Sequence, residues 1–320
     1  MAYKIAVGLQ KGGVGKTTTS AIMAEILAAS GYKVLVMDLD SQGNSTKMLT
    51  QESIYKYSGK TILEAIKEEE TKKYRVEVKE NLHLLPAEDM MATYSRYIYT
   101  NKFMYPLHVL AESMKDIETE YDFIIMDLPP NMGDVVLSAL VYADYVNIPV
   151  QCEAFAMEAL DRFVTFVNEA KEEGHTHAEI IGILPTMKDN RSMSEKLIAE
   201  TIRRNYGPLV FEFDVKRKAK IKDYALMGIT MDRKADMDAL EEYISFTESL
   251  VQRIKETFSY SNSEFLKYLY NGGNKLVSSY AMYVFEEAEK GDRVSIAILK
   301  KHIAEIARLI RASLSHFSDY

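Results

Sequence analysis

A short segment near the N-terminus combines two lysines with three glycines and two threonines, over residues 11–18. Its spacing fits a phosphate-binding loop: backbone N–H groups surround a phosphate, Lys16 reaches the β- and γ-phosphates, and the Thr17 hydroxyl binds Mg²⁺. An apolar strand pattern precedes it at residues 4–9, and helical apolar spacing follows at residues 19–29. The alternative, a glycine turn with incidental lysines, leaves that context unexplained. The expected phosphate-binding residues are Gly12, Gly13, Val14, Gly15, Lys16, Thr17 and Thr18.

Carboxylates follow two other apolar runs. Asp38 and Asp40 come directly after residues 34–37, and Asp127 comes directly after residues 123–126. Ligands of parallel sheets bind at the carboxyl ends of the strands, and an unpaired buried carboxylate is costly. An aspartate that closes an apolar strand beside a phosphate loop is the arrangement that holds Mg²⁺. We therefore expect Thr17 and Asp127 at a magnesium site; the alternative for residues 38–46 is a solvated Asx turn.

The fold prediction is α/β, a doubly wound, mostly parallel sheet of the P-loop NTPase type with a helical C-terminal appendage. Strand and helix patterns alternate along most of the chain, as such sheets require. Residues 1–257 are predicted to form the ATPase domain and residues 258–320 the helical extension. The predicted strands are residues 4–9, 34–37, 82–85, 123–126, 146–150 and 180–184.

Composition is that of a cytoplasmic globular enzyme. The 320 residues include a single cysteine, Cys152, so neither a disulfide framework nor a cysteine-ligated metal site fits within one chain. We expect no signal peptide and no transmembrane helix, because no apolar run reaches about 18 residues. The formal net charge is −8, so any nucleic-acid binding must use a local basic patch.

Residues 11–18 also resemble the deviant Walker A motif of the ParA/MinD group of ATPases, because Lys11 supplies a second lysine. The resemblance implies an ATP-dependent homodimer in which Lys11 contacts the nucleotide held by the partner subunit. A cation delivered in this way neutralises charge on the transferred phosphoryl group. Hydrolysis would then depend on dimerisation, with Lys11 and Lys16 as catalytic residues.

Three further blocks resemble the same family in the same order. Residues 38–46 are similar to its Asp-x-Asp-Pro-Gln-Gly-Asn block, although Ser41 replaces the usual proline. Residues 121–130 match its strand with a double proline, and residues 143–153 lead into a segment, 156–160, that is typical of Soj-like proteins. The resemblance covers roughly residues 1–255 and lacks the N-terminal winged-helix extension of larger ParA proteins.

The resemblance also implies roles for individual residues. Asp40 would position or activate the attacking water, and Asp38 would support the Mg²⁺ site through neighbouring groups. Residues 184–192 look like the family's segment near the adenine and the dimer interface, so we place the base against Thr186 and Met187. A surface ion pair is the alternative for Asp189 and Arg191.

A basic cluster lies at residues 215–222 of this acidic chain. It falls where ParA proteins carry residues for sequence-independent DNA contact, and such clusters are candidate phosphate contacts. An ordinary solvated basic face is the alternative. The segment that follows, residues 223–230, departs from the family pattern and leaves the loop shape open. The predicted DNA-binding residues are Lys216, Arg217, Lys218, Lys220 and Lys222.

The tail from about residue 258 is longer than a Soj-like protein needs. Its polar start at residues 259–263 suits a linker or helix cap, and helical patterns follow at 263–270 with 275–289 and at 294–317. We expect a helical hairpin packed on the ATPase body or on a partner. A MinD-like membrane anchor is the minority alternative.

These observations favour a ParA/Soj-type partition ATPase for a plasmid or a chromosome. We expect ATP and Mg²⁺ as cofactors, an ATP sandwich dimer, non-specific DNA binding, stimulation by a ParB-like centromere-binding protein, and a nucleoid-associated cytoplasmic location without membrane binding. The alternatives are a MinD-like membrane-associated ATPase and a cargo-positioning ATPase. The sequence does not identify the cargo.

Overall fold

The computed structural model describes residues 2–188 and 192–270 of the chain, and the side chains of residues 2–188 and 192–257. Within these residues seven strands form a single sheet with the spatial order β3-β4-β2-β5-β1-β6-β7. The strands are β1 Tyr3–Val7, β2 Val34–Asp38, β3 Val76–Lys79, β4 Leu82–Leu85, β5 Phe123–Asp127, β6 Tyr145–Gln151 and β7 Glu179–Thr186.

Helices connect the strands and cover the sheet. Short 3-10 turns lie at Ile54–Tyr57, Asp89–Thr93, Pro106–His108, Glu118–Glu120 and Gly207–Leu209. The α-helices are α1 Lys16–Ala29, α2 Asn44–Thr50, α3 Ile62–Glu68, α4 Thr71–Tyr74, α5 Tyr94–Thr100, α6 Val109–Ser113, α7 Asp134–Tyr142, α8 Ala156–Glu172, α9 Met193–Tyr206, α10 Ala219–Met227 and α11 Lys234–Tyr270.

Every strand pair is parallel except β3 with β4, which confirms the prediction of a doubly wound, mostly parallel sheet. The six predicted strands are present; no end differs by more than two residues, and residues 82–85 match at both ends. The edge strand β3 was missed, because its four residues alternate between half-buried and exposed positions and carry two charges. Such a short, polar edge is a common way to prevent unwanted strand pairing.

Apolar side chains pack on both faces of the sheet. On one face α3 and α5 to α8 cover residues such as Leu35, Ile124 and Ile148. On the other face α1, α10 and α11 cover Ile5 and Ile125. Central strands are therefore buried on both sides, which explains their continuous apolar runs. The loops that follow β1, β2 and β5 meet at one edge of the sheet.

The long helix α11 continues through the polar stretch at residues 259–263. The expected linker or cap at this stretch is therefore wrong, because its serines and asparagine lie inside a helix instead of ending one. The predicted domain boundary at residues 257/258 also falls inside this helix and stays a prediction. The helical patterns predicted at 275–289 and 294–317, and the pair Asp189 and Arg191, lie outside the described residues.

Gly182 in β7 leaves room for an aromatic ring that packs α11 onto the sheet. A β-carbon at Gly182 would lie 2.2 Å from Cε2 of Phe211. That ring meets the ring of Phe246 edge-on, with centroids 5.0 Å apart. Both rings are fully buried. A side chain at position 182 would therefore collide with the Phe211 ring, which explains the glycine there.

We expect Gly182→Ala to lower the free energy of unfolding by about 1–3 kcal/mol, because the added methyl group must displace the Phe211 ring. Urea unfolding followed by circular dichroism measures the loss. Gly133→Ala is the control, since its β-carbon would meet only Asn131 Oδ1 at 3.4 Å. Equal stability of the two variants would contradict the packing argument.

Candidate nucleotide and magnesium site

The glycine-rich loop between β1 and α1 adopts the conformation of an anion cradle. Gly13 and Gly15 have φ angles of 76° and 90°, in the left-handed region that favours glycine. β-carbons at Gly12 and Gly13 would meet nothing within 4 Å, so this part of the loop faces open space. Gly15 leads directly into α1, whose first N–H groups and positive dipole end attract anions. The loop and helix together form a candidate phosphate site.

Lys16 is buried beside this loop. Its ammonium group donates to the backbone oxygen of Lys11 over 2.8 Å. Burial lowers the pKa of Lys16, while the negative charges of Asp127 and Asp40 act in the opposite direction. A phosphate group would supply the anionic partner that a backbone oxygen replaces only weakly. Lys16 is therefore placed to bind a terminal phosphate.

Asp127 closes β5 and collects three hydroxyl donors from two helices. Thr17 and Ser45 donate to its Oδ2 atom over 2.8 and 2.7 Å, and Ser20 donates to Oδ1 over 3.3 Å. The carboxylate is 1% exposed. The Thr17 hydroxyl and this carboxylate form the hard oxygen set that suits Mg²⁺ beside nucleotide phosphates. The predicted metal residues Thr17 and Asp127 thus lie in direct contact.

Asp38 lies next to Asp127, because the two residues are register partners on adjacent parallel strands. Its Oδ2 accepts from the backbone N–H and the hydroxyl of Thr46 over 2.8 and 2.7 Å. Burial, followed by the charge of Asp127, raises the pKa of Asp38. Burial also raises the pKa of Asp127, while the Ser45 and Thr17 hydroxyls oppose that effect. A divalent cation beside the pair would favour both ionised carboxylates.

Asp40 is less buried than Asp38 and lies in the turn before α2. Its side chain accepts from Gln42 N–H over 3.0 Å, and its backbone oxygen accepts from Gly43 N–H over 2.9 Å. Gly43 has a φ of 58°, and a β-carbon there would lie 2.5 Å from Ile54 and 2.8 Å from the backbone oxygen of Ala87. Gly43 therefore fixes this turn, although Ser41 stands where the family usually has a proline. Asp40 therefore keeps a partly exposed carboxylate near the site.

Lys11 is held by its own chain in this structure. Its ammonium group lies 2.8 Å from Glu153 Oε1 and donates to the backbone oxygen of Ala154 over 3.2 Å. The side chain is 24% exposed, so the pair is only partly screened by water. The second lysine of the loop is therefore paired within its own chain.

The residues predicted to contact the base lie against the phosphate loop. Thr186 is fully buried and donates its hydroxyl to the backbone oxygen of Val14 over 2.8 Å. Met187 Cε would lie 3.3 Å from a β-carbon at Gly15, and Met187 itself has a φ of 53°. Thr186 thus supports the loop, while the base assignment of both residues stays a prediction.

The basic cluster differs in pairing from residue to residue. Lys216 and Lys218 both form ion pairs with Glu242 of α11, and Lys218 also donates to the backbone oxygen of Asp238 over 2.7 Å. Lys220 pairs with Asp236 over 2.8 Å. Arg217 and Lys222 are exposed, and neither has a side-chain hydrogen bond or ion pair among the described residues. These last two are the cations most available to a ligand.

A family model described as an AAA domain matches residues 2–180, more than half of the chain. The chain is 30% identical over 258 residues to the chromosome-partitioning ATPase Soj of Thermus thermophilus, which covers 79% of this chain and 97% of that protein. It is 31% identical over 257 residues to the chromosome partitioning protein ParA of Myxococcus xanthus, with coverage of 78% and 88%. The chain belongs to the ParA/Soj family of ATPases.

A solved structure shares the fold of this chain. The cobyrinic acid a,c-diamide synthase of Mycobacterium smegmatis, solved with ADP and magnesium, superposes on this chain with a TM-score of 0.67 at 25% identity. The match covers 80% of this chain and 96% of that chain. This structural relative of the ParA/Soj-family chain has been solved with magnesium together with ADP or with an ATP analogue. Among its described residues, no helix has the length and hydropathy of a membrane span.

Four residues of the site received no role from the sequence. Ser20 lies one helical turn after Thr17, a spacing that places both hydroxyls on the same face of α1. Ser45 and Thr46 lie in the first turn of α2, which begins at Asn44, and their hydroxyls face the strand ends. Glu153 follows β6, the strand beside β1. Ligands of parallel sheets bind at the carboxyl ends of strands, and this rule could have indicated Ser45, Thr46 and Glu153. It could not have indicated Ser20, which lies within α1.

We expect Thr46→Val to weaken both folding and Mg²⁺–ATP binding. The variant loses the hydroxyl that donates to Asp38 and accepts from Ala87 N–H over 3.0 Å. Loss of a buried hydrogen-bond partner costs about 1–3 kcal/mol. Chemical unfolding and titration calorimetry with Mg²⁺–ATP measure the two effects.

Thr50→Val is the matched control, because the Thr50 hydroxyl donates to the backbone oxygen of Thr46 and accepts from Glu52 N–H over 3.3 Å, without a hydrogen bond to Asp38 or Asp127. It should leave Mg²⁺–ATP affinity close to wild type. Affinity that is lost equally in both variants would show that the Asp38 contact has no special role.

Proposed function

We propose that this ParA/Soj-family chain is a DNA partition ATPase. It binds ATP and Mg²⁺ in a sandwich homodimer, binds DNA without sequence preference and hydrolyses ATP when a ParB-like protein stimulates it. One observation carries the ATPase part of the proposal: the Thr17–Asp127–Asp38 cluster lies beside a phosphate loop that has a second lysine. The names of the relatives support partition as the cellular role.

The proposed chemistry assigns a separate task to each polar side chain. Loop N–H groups and Lys16 bind the phosphates, and Thr17 with Asp127 holds Mg²⁺, which neutralises phosphate charge when bound. Asp38, held by Thr46, positions the magnesium ligands Thr17 and Asp127. Asp40 accepts a hydrogen bond from the attacking water and orients it. These roles divide binding from water activation, so single substitutions should separate them.

Lys11 supplies the step that depends on assembly. In this structure its ammonium group pairs with Glu153 in the same chain. In the proposed dimer it leaves Glu153 and stabilises negative charge on the partner subunit's phosphates. A monomer then binds ATP without the full complement of catalytic cations, which keeps hydrolysis slow until two subunits meet.

The proposed DNA surface consists of Arg217 and Lys222, with Lys216 at its margin. These side chains are exposed, whereas Lys218 and Lys220 pair with buried carboxylates of α11 and serve the fold. Two or three phosphate contacts give weak binding from one chain. A dimer presents two such surfaces to one duplex, which explains why DNA binding should require ATP.

We expect Asp40→Ala to bind ATP and accumulate as a dimer that does not turn over, because the phosphate and magnesium ligands remain while water orientation is lost. Size-exclusion chromatography with Mg²⁺–ATP, combined with phosphate release, measures both properties. Lys16→Ala is the control: it should lose ATP binding and stay monomeric. An Asp40→Ala protein that hydrolyses at the wild-type rate would contradict the assigned role.

For DNA, we expect Arg217→Ala with Lys222→Ala to weaken ATP-dependent binding about equally for unrelated duplexes. Each lost phosphate contact should reduce the slope of log K against log salt by about 0.9. Fluorescence anisotropy at several salt concentrations measures the slope. Lys218→Met is the matched control, because this lysine pairs within the chain; a larger slope change in the control than in the double variant would refute the surface.

A further inference from the structure

A cleft lies at the end of α1 that is opposite the phosphate loop. Its volume is about 540 Å³. Three separate segments line it: the last two turns of α1 with Gly31, the turn between β3 and β4, and the loop between α10 and α11 at residues 229–232. None of the residues assigned above to nucleotide, magnesium or DNA lines this cleft.

The inner wall of the cleft contains a buried carboxylate. Glu25 is 3% exposed, and Lys79 Nζ lies 2.6 Å from its Oε2. The Lys79 side chain is 46% exposed, so this partner reaches in from the surface edge of the sheet. Burial raises the pKa of Glu25, whereas Lys79 opposes that effect. Glu25 is the one acidic residue of α1, and its ion pair with Lys79 links this helix to β3.

Charge in the cleft favours a cation. Glu25, Glu80 and Asp232 line it together with one basic residue, Lys79. The cleft also lies at the C-terminal end of α1, where the helix dipole places partial negative charge within the last turn. The two effects have different origins and the same sign. A bound ligand with positive charge would gain from both.

The apolar part of the wall indicates the shape of that cation. Ala28, Ile229 and Met231 line the same cleft as the acidic residues. Arginine and lysine side chains bury an apolar stem while their charged head meets carboxylates, and the arginine head forms paired hydrogen bonds. A small inorganic cation would leave the apolar wall without a partner.

We propose that this cleft is a docking site for an arginine side chain of a partner protein, with Glu25 and Asp232 as its carboxylate contacts. Glu25 lies nine residues after Lys16 along α1, a rise of about 14 Å from the helix start at the phosphate loop. The docking site is therefore separate from the nucleotide site, and the inference does not depend on the proposed partition activity.

The test uses argininamide as the probe and methyl NMR of the full-length protein without nucleotide or DNA. Ile229, Met231 and Ala28 carry methyl groups that report directly from the cleft walls. We expect saturable shifts of these methyl signals, and no comparable shifts with citrullinamide, the neutral analogue of the probe. Glu25→Gln should weaken binding about tenfold, because it removes a charged hydrogen-bond acceptor.

Lys79→Met should change argininamide affinity in the opposite direction to Glu25→Gln. It removes the internal competitor for Glu25 and should tighten argininamide binding. Glu172→Gln, an equal charge change at the exposed end of α8, is the control and should leave affinity unchanged. Equal affinities in wild type and Glu25→Gln, or equal shifts with citrullinamide, would overturn the proposal. Displacement of the probe by Mg²⁺ alone would reassign the cleft to a metal ion and overturn it as well.

Discussion

The arrangement of the site depends on two carboxylates that are buried side by side. Asp38 and Asp127 are register partners on neighbouring strands and are almost inaccessible to water. Raised pKa values mean that ionising them opposes folding as the pH rises through those values. Hydroxyl and N–H donors from α1 and α2 offset part of this cost. The same donors fix how these two helices meet the strand ends, so the chemistry of the site and the local fold share one set of contacts.

Both loop lysines are satisfied within the chain, and this has a consequence for nucleotide entry. Lys16 donates to the backbone oxygen of Lys11, and the Lys11 ammonium group pairs with Glu153. A bound phosphate competes with a neutral oxygen for Lys16, which is an easy exchange. Lys11, in contrast, must exchange one anion for another. The stronger restraint therefore lies on the lysine whose proposed role begins only when a second subunit arrives.

The sequence predicted which carboxylates lie together at the ends of the strands better than it predicted which cations are available at the surface. Buried strands followed by Asp38 and Asp127 could be placed at one edge of a sheet, because parallel strands align their carboxyl ends. The partner of Lys11 could not be predicted, since Glu153 is distant in sequence and reaches the loop only through the pairing of β1 with β6. The polar residues at 259–263 indicated a helix end, but α11 continues through them. The low helix propensity of these few residues was too weak to end the helix.

The basic cluster shows why a count of cations is a poor measure of a binding surface. Five cations lie within residues 215–222, but α11 supplies Glu242 to two of them and Asp236 to a third. Both carboxylates are largely buried, so these pairs serve mainly to attach α10 and its preceding loop to α11. A protein with a net charge of −8 then has few cations left for phosphate at this surface. Weak contact per chain would suit the proposed switch, because pairing two chains would change the occupancy of DNA far more than if one chain already bound tightly.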